Sequence, residues 1–197
     1  MKEVGVMRPQ SPEPVSAARE TVERFEQFLS ESSSQDRLFE LIEGQITEKV
    51  PTREHGIIAA NFVTELNLWQ RLHGSVGYAA VEARHRPPGD PYNDRLPDVS
   101  LVFGFDHPVE TQGPALYMPD VCIEIQPPDN TPRQMSDKAL FDLSHGTKLV
   151  WLVYPAQRMI EVLTATDRYF VQATEVLEGG DLLPGFAVAV AQFFPTV

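Results

Sequence analysis

The chain predicts an α+β fold, a mixed β-sheet with helices packed on it, and three observations carry that prediction. Helical and extended patterns follow in the order helix, several strands, helix, strand. Two runs, R-L-P-D-V-S-L-V-F (95–103) and P-D-V-C-I-E-I-Q-P-P (119–128), alternate with period two. A third, K-L-V-W-L-V-Y (148–154), is almost continuously apolar, as expected of a strand covered on both faces.

Composition bounds the rest. At 197 residues and 42% hydrophobic, the chain suits one domain with a sizeable core, expected over 16–197 behind a disordered arm at 1–15 that carries Pro9, Pro12 and Pro14. The single Cys122 excludes a disulfide framework, and its place inside a predicted strand reads as a small buried side chain. No apolar run approaches the ~18 residues of a membrane span, and the N-terminus lacks the apolar core of a secretory signal. The expectation is a soluble protein of the reducing cytoplasm, with no membrane partner. A net charge of −12 counts against an extended non-specific grip on nucleic acid, while leaving room for a local basic cleft.

From Ser16, the recurrence of Ala18, Val22, Phe25 and Leu29 predicts a helix that the S-E-S-S-S-Q-D segment (30–36) ends. F-E-L-I-E-G-Q-I-T-E-K-V (39–50) predicts a hairpin turning at Glu43-Gly44. Glu40 and Glu43 then fall on opposite faces, so at most one looks into a shared site. A longer helix, from Glu54 to Leu72, buries Ile58, Phe62, Leu66 and Trp69 and stops at Gly74. His55 extends that stripe toward the helix N-terminus, where a histidine is more often packed or capping than catalytic. Residues 75–86 predict a strand, followed by a turn-rich loop into Asp98. Arg84, Arg86 and Arg95 flank this loop as the nearest thing to an anion patch, although arginines at strand ends usually only solvate the surface. Thr131 and Pro132 stand as N-cap and first residue of a helix reaching His145, with Met135, Ala139 and Leu143 inward and Gly146 beyond it. Strands at 158–164 and 168–173 follow, and 178–186 leads to a short terminal element.

In the first alternating run Val99, Leu101 and Phe103 share one face and Asp98 and Ser100 the other. In the second, Val121, Ile123 and Ile125 oppose Asp120, Cys122, Glu124 and Gln126. Neighbouring strands lie ~4.8 Å apart, so adjacency would bring Asp98 and Glu124 together as a place for a divalent cation. Against this, an aspartate after proline often just starts a strand, and a glutamate at a strand end is usually solvated. At 100° per residue Lys138 borders the Met135, Ala139 and Leu143 stripe. It either runs along the sheet edge toward the carboxylates or pairs on the surface with Asp142 at i+4.

Seven segments in order, E-L-I-E-G, E-H, L-P-D-V-S-L-V, C-I-E-I-Q-P-P, D-K-A-L-F-D-L, H-G-T-K-L-V-W-L-V-Y-P and D-L-L-P-G-F, resemble the Uma-two family of restriction endonucleases. The resemblance implies the restriction-endonuclease-like fold of the PD-(D/E)xK nucleases, a mixed central sheet flanked by helices, and magnesium-dependent hydrolysis of phosphodiester bonds. It assigns Asp98 to the P-D element and Glu124 to the acid of (D/E)xK, and it implies a Mg²⁺ site of Asp98, Glu124 and the Ile125 carbonyl, with Mn²⁺ as substitute. The lysine position falls on Gln126, a departure, and Lys138 in the next helix can stand in for it. Glu40 and His55 also match family positions near the site. The resemblance thus implies a DNA endonuclease, with C₂ homodimers expected of an enzyme that cuts both strands. The alternative is a non-catalytic regulatory or nucleic-acid-associated binding protein that keeps the fold, a reading favoured by the charge of −12 and by Gln126.

Overall fold

A computed structural model describes residues 19–31, 34, 36–74, 77–104, 109–128 and 130–195, so the arm expected at 1–15 lies outside the described residues. The first helix is α1 (Val22–Ser30), where Thr21 takes an extended conformation and caps it by accepting from Arg24 N; residues 16–18 of the predicted helix lie outside the described residues. β1 (Leu38–Ile42) and β2 (Gln45–Lys49) form the predicted hairpin. Its two turn residues, Glu43 and Gly44, both have positive φ (50° and 80°), which matches the right-handed strand twist. Glycine is required at 44 on a second count, since a Cβ there would stand 2.6 Å from that of Arg19.

α2 (Arg53–His73) is capped by Thr52, which accepts from His55 N at 3.2 Å, and ends at left-handed Gly74. Its Ile58, Phe62 and Leu66 are wholly buried, worth roughly 1.5–3 kcal/mol each. β3 (Gly77–Val81) is shorter than expected because Glu82 turns to φ 51° and breaks the strand. β4 (Val99–Phe103) and β5 (Val121–Ile125) follow, then α3 (Pro132–Ser144), whose predicted cap is a full capping box of Thr131 with Gln134. β6 (Leu149–Tyr154) is buried at every residue, as its apolar run demands. β7 (Met159–Leu163) and β8 (Arg168–Gln172) complete a six-stranded sheet in chain order, antiparallel except for β5 against β6, which α3 connects. The short terminal element proves to be a second hairpin, β9 (Val176–Gly179) with β10 (Leu183–Ala189), and a 3-10 turn at Val190–Phe193.

The sheet separates two cores. Val99, Leu101, Val121, Ile123, Ile125 and Trp151 pack with α2, β10 and Phe193 on one side. Cys122, Val150 and Leu152 pack with Met135 and Ala139 of α3 on the other. The β1–β2 hairpin stands beside α3, tied to the loop before β4 by reciprocal Leu41–Asp94 backbone hydrogen bonds of 2.9 Å. Four elements therefore converge at one end of the β4–β5 pair: the hairpin, the N-terminus of α2, the strand ends and α3.

Candidate active site

Strand register brings the two predicted carboxylates face to face. Val99 pairs with Ile123 across the antiparallel β4–β5 ladder, so the next pair out is Asp98 opposite Glu124, both on the face away from the α2 core. A third carboxylate arrives from the hairpin. Glu40 pairs with Thr47 and Leu38 with Lys49, which sets Glu40, Thr47 and Lys49 on one face that walls a cavity of about 750 Å³. Glu40 is 2% exposed, and Glu43, exposed at the turn, lines the rim of the same cavity, which corrects the expectation that at most one of them looks into a shared site: Glu43 is a left-handed turn residue, so strand alternation does not fix its side.

Each carboxylate has a distinct environment. Asp98 Oδ2 accepts from Ile125 N at 2.7 Å and lies 2.9 Å from His55 Nε2, out of line for a full hydrogen bond. Its Oδ1 accepts from Lys49 Nζ at 2.5 Å, an ammonium also donating to Leu96 O at 2.6 Å. Burial alone would raise the Asp98 carboxyl, but Lys49 and His55 hold it well below the ordinary range. Glu40 Oε1 accepts from Lys138 Nζ at 2.6 Å, and despite burial Glu40 is held down by Lys138, Arg95 and Lys49. Glu124 differs. It makes no hydrogen bond among the described residues, its nearest cation is Lys138 at 3.5 Å, and burial pushes its carboxyl up to about 7. Both lysines are raised in turn, the carboxylates outweighing their burial.

Lys138 thus faces the cavity, and the surface pair with Asp142 is overturned. Asp142 is buried beneath α3, where Oδ1 lies 3.5 Å from Arg95 Nε and Oδ2 accepts from Cys122 Sγ at 3.3 Å. The arginine patch is likewise corrected. Arg84 and Arg86 both grip Asp94, which is fully buried, together with Glu26, and Arg95 sits inside beneath Phe141. Gln126 does not join the carboxylates, since its amide donates to Asn130 O at 2.6 Å and steadies the loop before α3. The Ile125 side chain belongs to the α2 core, leaving only its backbone to the cavity. His55 lines the cavity and touches Asp98, closer than the packed-or-capping reading implied.

The residue that sequence reasoning missed is Lys49. The signal was present, because a two-residue turn pairs 40 with 47, and 49, two further along, must share their face.

A hard divalent ion fits this donor set. Among the described residues, four carboxyl groups (Glu40, Asp98, Glu124 and Asp142) meet three permanent cations (Lys49, Lys138 and Arg95), so with all four ionised the cluster is one positive charge short. Glu40 Oε2 is buried without a partner among the described residues, and burial pushes the Glu124 carboxyl up to about 7. Cys122, Glu124 and Asp142 also bring ligand atoms within 4.8 Å of one another. There, however, Asp142 is already engaged by Arg95, and burial holds the Cys122 thiol protonated.

The fold defines the class first. A solved structure described as a putative nuclease belonging to DUF820, from Anabaena variabilis, matches with a TM-score of 0.73 at 24% identity, over 88% of this chain and 97% of that one, a likeness that shows the restriction-endonuclease-like fold. The family model described as Uma2, putative restriction endonuclease, matches residues 22–191, and the chain belongs to that family. No curated protein matches it. No described helix is long and apolar enough to cross a membrane.

Proposed function

We propose that this chain is a Mg²⁺-dependent endonuclease that hydrolyses phosphodiester bonds in DNA, with Mn²⁺ able to replace Mg²⁺. The observation that carries the reading is the meeting of Glu40, Asp98, Glu124 and Lys138 in one cavity of a chain of this family. Asp98, Glu124 and the Ile125 carbonyl would hold the ion, the hard oxygen set that magnesium takes. Once bound, the ion supplies a Lewis acid for a phosphoryl oxygen and makes a water more acidic. The protein's own residues do the rest. The Ile125 N–H and His55 fix the Asp98 carboxylate, and Glu40 anchors the Lys138 ammonium beside Glu124, where it can meet charge developing on the phosphate. Gln126 carries no charge at the usual lysine position, so that duty passes to Lys138. A C₂ homodimer in the cytoplasm suits an enzyme cutting both strands; a monomeric mass by light scattering would remove the dimer.

Plasmid cleavage with Mg²⁺ and Mn²⁺ tests the reading, alongside calorimetric metal titration of the wild type, Asp98→Asn and Glu124→Gln. Cation-dependent cleavage lost in both variants, with their fold intact, is the expected result. Metal binding without cleavage of any DNA or RNA form would favour the non-catalytic alternative, which the net charge of −12 and the acidic Glu43, Glu48 and Asp137 lining the cavity also support.

A further inference from the structure

Lys49 sits on Oδ1 of Asp98, the oxygen that the Ile125 N–H leaves open. Oδ2 is held by the Ile125 N–H at 2.7 Å, with His55 at 2.9 Å, while among the described residues Oδ1 meets only the Lys49 ammonium, at 2.5 Å. The lysine is itself enclosed, with 13% of its side chain exposed, and its second partner is a backbone carbonyl, Leu96 O at 2.6 Å, which carries no formal charge. Lys138 is placed differently, since its short contact is to Glu40, outside the Asp98–Glu124 pair.

We propose that Lys49 is the internal counter-ion of the site, and that a divalent cation entering the cavity displaces its ammonium from Asp98 Oδ1. The inference rests on Asp98 being a metal ligand, as in the function proposed above. An ammonium and a divalent ion on the same carboxylate oxygen repel strongly in a buried site, so the two occupy Oδ1 alternately. Leu96 O tethers the displaced ammonium to the cavity wall. The metal-free protein thereby keeps the buried Asp98 carboxylate compensated, and metal binding becomes an exchange of cations.

Calorimetric titration of Mn²⁺ into the wild type and Lys49→Met, a straight-chain neutral replacement, tests this. Removing the competitor should tighten Mn²⁺ binding by at least about ten-fold. Equal or weaker binding by Lys49→Met, with the wild type still binding, overturns the role of Lys49 alone. Binding by neither protein overturns this inference and the metal site together. A second measurement needs no variant. Acylation by an amine-reactive ester, read by mass spectrometry, should label Lys49 several-fold faster with saturating Mn²⁺ than without, while the exposed Lys148 stays unchanged as an internal control. Lys49 equally protected under both conditions would overturn the displacement.

Discussion

Replacing Glu124 with glutamine should flatten the pH dependence of stability in the metal-free protein. Burial moves this carboxyl from the ordinary 4.5 to about 7. The folded chain therefore holds the proton more tightly than the unfolded one, and stability falls as pH rises from about 4.5 through about 7. Each tenfold in proton affinity is about 1.4 kcal/mol, so between pH 5 and pH 8 Glu124 should cost the wild type roughly 2–3 kcal/mol. Asp98 and Glu40, held below the ordinary range, act in the opposite sense. Their stabilisation is present above ordinary carboxylate values and is lost in acid as pH falls through their folded values, below the window used here. Glu124→Gln keeps the shape of the side chain and loses the titration. Urea unfolding of both proteins at pH 5 and pH 8, in chelator, gives the two pH differences. The wild type should lose roughly 2–3 kcal/mol more than Glu124→Gln across that interval. Parallel pH dependence in the two proteins would mean instead that Glu124 titrates alike folded and unfolded.

Three further outcomes follow from the same geometry. Lys138→Ala should depress turnover far more than substrate binding in single-turnover kinetics, and unchanged turnover would leave Lys138 as no more than a structural partner of Glu40. His55→Ala should keep Mn²⁺ binding by calorimetry, since Ile125 N still fixes Asp98 and the carboxylates remain; loss of all binding would make His55 part of the metal site. Asp142→Ala should destabilise the fold by about 3–5 kcal/mol in urea, because it strands the buried Arg95 guanidinium, whereas an effect under about 1 kcal/mol would mean that Arg95 finds another partner.

The backbone of this site was legible in the sequence because period-two alternation fixes which side chains share a face. That put Asp98 and Glu124 on the non-aliphatic faces of two strands, and the observed register sets them opposite each other. The capping of α3 by Thr131 was an equally local inference, whereas helical spacing left Lys138 open between the sheet edge and a surface pair, and only the contact with Glu40 decides it. What escaped was tertiary. Asp142 sits at helical spacing for a surface pair with Lys138, and nothing within α3 announces that Arg95, 47 residues earlier, occupies the space beneath it. Arg84 and Arg86 look like free surface charge until the fold brings Glu26 of α1 against them. Lys49 lay within reach of the pattern but required the hairpin face to be followed through its turn to the far end of β2. The end of β3 depends on the left-handed Glu82, a conformation that glutamate does not advertise.

In the function proposed above, Asp98 and Glu124 share a divalent cation in the cavity between the hairpin and α3. Anomalous diffraction from crystals soaked in Mn²⁺ tests it most directly. The expected result is a single strong peak within coordinating distance of Asp98 Oδ1, a Glu124 oxygen and the Ile125 carbonyl. A peak held instead by Cys122, Glu124 and Asp142, or no peak at saturating Mn²⁺, would contradict it.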